Sequence, residues 1–82
     1  MFIEDNGTRY EIIRGSDIVR DGKYLELRLP DTSPIEQLAE IFYSDATHEF
    51  FISIFAGNLP LSIIEILVAE AKILLPLKKP LN

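Results

Sequence analysis

The stretch 60-PLSIIEILVAEAKILL-75 decides the fold class, because it sets one amphipathic helix at the end of a chain whose other apolar runs mostly alternate. At about 100° per residue, Leu61, Ile63, Ile64, Leu67, Val68, Ala71, Leu74 and Leu75 cover one broad arc, with Ser62, Glu65 and Lys72 on the opposite stripe. Proline stands at the expected start, Pro60, and at the expected end, Pro76. Ile66 and Ile73 fall beside the polar stripe. Two isoleucines seven residues apart on the outer face predict a second packing partner, and in so short a chain a second copy is the simplest one. Burying them gains roughly 1.5 to 3 kcal/mol each, whereas association costs about 4 to 15 kcal/mol in lost freedom. More apolar surface must therefore join them. The alternative is that the Pro30 loop or the C-terminal tail of the same chain covers that side.

Upstream of the helix, turn chemistry organises the chain into hairpins. Asn6-Gly7, the dipeptide best suited to two left-handed positions, separates Phe2-Ile3 from Tyr10 and predicts a pairing of Ile3 with Tyr10 and of Glu4 with Arg9. Asp21-Gly22 repeats the device before Lys23–Leu29, where Leu25, Leu27 and Leu29 alternate with Tyr24, Glu26 and Arg28. In that register Ile18 lies opposite Leu25 on the core face. Gly15-Ser16 reads as a bulge or bend within the preceding strand.

The segment 34–43 supports two readings. Ser33-Pro34-Ile35-Glu36 has the form of a capping box, and Ile35, Leu38, Ala39 and Phe42 recur at helical spacing. Ile41-Phe42-Tyr43 favours strand, and Ser44–Thr47 suits a hairpin loop. We expect a strand over Leu38–Tyr43, and one helical turn at Pro34–Gln37 would satisfy both signals. Glu49–Phe55 is the strongest strand, with Phe50, Ile52 and Ile54 on one face and Phe51 and Phe55 on the other. The expected architecture is α+β: an antiparallel, hairpin-built sheet of about five strands with the C-terminal helix packed on one face. A single domain spans residues 1–75 and a tail residues 76–82. A helix about 10 Å wide covers only part of such a sheet, so a second apolar face carrying some of Phe51, Phe55, Val19, Tyr24 and Tyr43 again calls for a partner.

Composition narrows the function classes. With 82 residues and no cysteine, the chain has room for one core and no thiolate or disulfide staple. Apolar residues make up 48% of it, which excludes a disordered chain. The net charge of −5 is concentrated between Arg28 and Lys72, an interval with no Lys or Arg. Such a surface repels phosphate, so nucleic acid is not an expected partner. The acidic residues Asp31, Glu36, Glu40, Asp45 and Glu49 around the middle loops define an expected surface for a basic protein partner, as an immunity or antitoxin-type inhibitor would present. Met1-Phe2-Ile3 runs directly into Glu4-Asp5, unlike a signal peptide, and the helix is too short and too charged to span a bilayer. A cytoplasmic protein without membrane contact is the expectation.

No motif carries catalysis or a cofactor. Ser44, Asp45 and His48 offer the residue types of a hydrolytic triad, but all within one loop, without a glycine elbow or oxyanion donors. Asp45, His48 and Glu49 do not have the spacing of a structural zinc site. Glu36 with Glu40 and Glu65 with Glu70 read as solvated faces, and the isolated glycines serve turns. The expected function is a non-enzymatic protein-interaction module, homodimeric through Ile66, Ile73, Phe51 and Phe55. A small-ligand site between helix and sheet, or across a dimer seam, is the rival reading.

Overall fold

Asn6 and Gly7 take φ of 49° and 81°, the paired left-handed conformations of a two-residue hairpin turn, and they fold Phe2–Asp5 (β1) back onto Thr8–Asp17 (β2). Ile3 pairs with Tyr10 and Glu4 with Arg9, as the alternation requires. A computed structural model describes residues 1–76 of the chain. Within them the sheet continues through Gly22–Leu29 (β3), Glu36–Ser44 (β4) and Phe50–Ile54 (β5), each antiparallel to its sequence neighbour, in the order β1-β2-β3-β4-β5. Leu61–Leu74 (α1) then packs on one face, so the described residues form an α+β fold. Apart from Pro76, the expected tail lies outside the described residues.

The β2–β3 connection differs from the sequence expectation. Asp17 pairs with Gly22, Ile18–Asp21 form the loop, and Arg14 rather than Ile18 stands opposite Leu25. A shift of four residues keeps the side chains that remain paired on their expected faces but changes which of them reach the core. It puts Ile12 opposite Leu27 and buries Tyr10 and Ile12, while Ile18 and Val19 are left 94% and 96% exposed at the tip. The loop is held by Asp17, whose Oδ1 accepts the Arg20 backbone N–H at 3.1 Å, and by Asp21 at φ 55°. Gly15 does not break β2. A side chain there would run into the Tyr24 ring, so glycine admits the cross-strand aromatic.

The segment read two ways is strand. β4 pairs with β3 on one side and β5 on the other, and no helical turn forms at 34–37. The Glu36 N–H bonds the Thr32 hydroxyl at 2.9 Å, so the capping-box pattern is spent on a loop. A register irregularity between Leu27 and Arg28 leaves Leu38 unpaired with β3 but buried.

The core lies between α1 and the sheet. Ile63, Leu67, Ala71 and Leu75 meet Tyr10, Ile12, Leu25, Leu27, Ala39, Ile41 and Tyr43. Tyr43, expected on the second face, belongs to this one, because its register partner Lys23 lies in phase with Leu25. Arg14 donates to the Leu74 carbonyl at 2.9 Å and ties the helix end to β2. The opposite face is mostly polar: Arg28 bonds Glu11 at 2.9 Å, and Arg20 bonds both Glu40 oxygens at 2.9 and 3.1 Å with its guanidinium 4.2 Å from the Phe42 ring.

Candidate interaction surface

Among the described residues the helix lies over β3 and β4, and none of them covers β5 at the sheet edge. Its apolar side chains Phe50, Phe51, Ile52 and Ile54, with Phe55 just beyond, are 40% to 56% exposed. The direction of its backbone groups follows from the ladder. The Ser44 N–H bonds the Glu49 carbonyl at 3.0 Å and the Phe55 N–H bonds the Leu38 carbonyl at 2.8 Å. Glu49, Phe51, Ser53 and Phe55 therefore turn their backbone groups toward β4, and Phe50, Ile52 and Ile54 turn theirs outward. The outward residues are also the ones whose side chains share the helix-bearing face. Phe51 packs on the other face against Phe42, with ring centroids 6.5 Å apart.

Beside this edge runs an apolar groove of ≈ 140 Å³ whose walls include Ile41, Ile52, Val68, Ala71 and Lys72. Pockets that enclose a drug-sized ligand measure roughly 300 to 1,000 Å³. The groove is smaller than that and extends the apolar surface of β5 toward the helix.

The residues expected to form the dimer surface fall in two places. Ile66 is half-buried and packs against the core, whereas Ile73 is 69% exposed. Both lie on the helix flank shared with Ser62, whose hydroxyl donates to Asp5 Oδ2 at 2.7 Å, so this flank leans toward β1. Phe51 and Phe55 lie at the far edge of the sheet, in and just beyond β5. Sequence reasoning placed Phe50, Ile52 and Ile54 in a strand but not at an interface. The signal was available: a six-residue run, Phe50–Phe55, with no charge and both faces apolar.

The five acidic residues are likewise dispersed. Glu36 and Ser44 end β4, about 26 Å apart at ~3.3 Å per residue; Asp31 and Glu36 belong to one end, Asp45 and Glu49 to the other. Three of the five are engaged with cations of their own chain: Asp31 with Arg9 at 3.2 Å, Glu40 with Arg20, and Asp45 with Lys23 at 3.4 Å. The sheet thus brings the amino-terminal cations, distant in sequence, onto the acidic middle. That pairing weakens the local field a basic partner would feel.

The loop after β4 is built as a turn. The Ser44 hydroxyl accepts the Thr47 N–H at 3.1 Å, and the Ser44 carbonyl accepts the His48 N–H at 2.8 Å. His48 sits at φ 61° with its ring stacked parallel to Tyr43 at 6.3 Å. Among the described residues the His48 ring is hydrogen-bonded neither to the Ser44 hydroxyl nor to Asp45, the two relations a triad requires; Asp45 instead meets Lys23. Among the described residues no group of three or more His, Asp or Glu is placed to hold a metal ion, and no helix is long and apolar enough to cross a membrane.

Comparison of the chain with known protein-family models, curated proteins and solved structures finds no match.

Proposed function

We propose that this chain is a non-enzymatic protein-interaction module that recognises its partner by adding a strand to β5. One observation carries the reading: an edge strand whose outward backbone donors and acceptors and whose apolar side chains are, among the described residues, open together. Strand addition draws affinity from the backbone groups and selectivity from alternate side chains. Here Phe50, Ile52, Ile54 and the adjacent groove supply the alternate contacts. Native proteins usually blunt such edges with lysine, proline or a bulge, and Phe50–Ile54 contains none of these.

Panning a random peptide library against the immobilised protein, and against its Ile52→Pro variant, tests the reading. The Ile52 N–H points away from β4, so proline there removes an outward donor while sparing the sheet ladder. Extended apolar peptides that bind the wild type and are lost on the variant are the expected result. Binders indifferent to Ile52→Pro, or no binders, would count against strand addition at β5.

A further inference from the structure

We propose that the strand accepted by β5 is β5 of a second copy, paired antiparallel about a two-fold axis at Ile52 to give one continuous ten-stranded sheet. This rests on β5 being the recognition edge and adds the partner and the register. The outward groups belong to Phe50, Ile52 and Ile54. When Ile52 faces Ile52 of the second copy, Phe50 faces Ile54 in both directions, and all three residues exchange their N–H and C=O groups in about six hydrogen bonds. Moving the centre to Phe51 or Ser53 leaves about four. The strand is therefore self-complementary in one register.

Side chains and charge agree with that register. On the helix-free face it sets the Phe51 ring opposite the small Ser53 of the second copy, and on the helix-bearing face it lines up Phe50, Ile52 and Ile54 from both. The net charge of −5 opposes self-association in general, but Phe50–Phe55 carries no charge, so no like pair meets within the seam. A basic partner, by contrast, finds no acidic side chain within it.

The remaining edge closes the assembly. On β1 the inward groups belong to Met1, Ile3 and Asp5, since Met1 bonds Ile12 at 2.8 and 3.0 Å, which leaves only Phe2 and Glu4 facing outward. That edge is short and acidic, so pairing ends at two copies instead of extending into a filament. The five half-exposed side chains offer roughly 450 Å² per copy, about half of a standard interface. The dimer should accordingly depend on concentration in the micromolar range or above.

The absence of cysteine makes the register directly readable. Under mild oxidation an Ile52→Cys variant is expected to form a covalent dimer, its Cα atoms lying ~5.5 Å apart. An equimolar mixture of Phe51→Cys and Ser53→Cys is expected to give about tenfold more cross-link than either alone, because self-pairs in this register are about 8 Å apart, beyond disulfide reach. Sedimentation should show wild type passing from one copy to two with concentration, and Ile52→Pro, still folded by circular dichroism, weakened at least about tenfold. Equal cross-linking by each variant alone would overturn the register. A wild-type monomer up to about 1 mM would overturn self-pairing; with β5-dependent peptides found, the interaction reading survives, and without them both fall.

Discussion

Gly7 and Gly22 look alike in the sequence, each closing an acid-or-amide–glycine pair, yet the sheet uses them for different reasons. Gly7 stands at φ 81°, and beyond its chain neighbours no described residue comes within 4 Å of where a Cβ would be, so Gly7→Ala strains only the backbone, at about 1 kcal/mol. A Cβ on Gly22 would meet the Tyr43 carbonyl and the Phe42 ring. Gly22→Ala should cost about 3 kcal/mol or more, since a backbone oxygen in a central ladder cannot yield; urea midpoints of the two variants measure the contrast. Asn-Gly was readable because its turn is local, whereas the close approach of β4 to Gly22 is not written near Gly22. Arg20 is a similar case. Its bonds to Asp17 and Glu40 and its place over Phe42 depend on the shifted β2–β3 register. The hydrogen bond from the Arg20 side chain, followed by that from its backbone N–H, lowers the Asp17 pKa below the ordinary 3.8. A depressed carboxyl stabilises the fold above its unfolded pKa and loses that contribution as pH falls through the folded one. Between about pH 4 and pH 2 the wild-type urea midpoint should therefore fall more steeply than that of Asp17→Asn. Equal slopes would show that the pair contributes nothing to acid stability.

Strands with a local turn or strict alternation were legible element by element: β1 and β2 from Asn6-Gly7, β3 from its leucines, β5 from Phe50–Ile54. The start of β4 was not, because Ser33–Glu36 carries a helix-start pattern whose outcome depends on strands on either side of it. Helix α1 was legible from its apolar arc, although Leu61, counted in that arc, is exposed at the first turn. The β5 ladder makes its own prediction. Ile52→Pro removes an outward donor, whereas Ser53→Pro removes one that bonds Glu40 across the ladder. Thermal unfolding should find Ser53→Pro about 2 to 3 kcal/mol less stable than Ile52→Pro. Comparable losses would mean that the assigned directions of the β5 backbone groups are wrong.

Across the whole molecule, a single helix over five strands must leave part of the sheet bare, and that much follows from dimensions of about 10 Å per helix and 4.8 Å per strand. Where the bare part lies does not. Of the four residues at which the sequence placed the seam, Ile66 and Ile73 share a flank beside β1, whereas Phe51 and Phe55 belong to the broader apolar exposure at β5. The acidic middle, continuous along the chain, is divided between the two ends of β4 and partly neutralised by cations from the amino-terminal half. The sequence by itself determined the fold class, the helix, the first hairpin and the excess of apolar surface, because turn dihedrals, side-chain periodicity and composition act within a few residues of where they are written. The tertiary structure alone decided the β2–β3 register, the fate of Ser33–Glu36 and the location of the open edge. Those depend on which register buries most apolar area beneath α1 and on which strand the helix fails to reach, and both are properties of residues brought together from opposite ends of the chain.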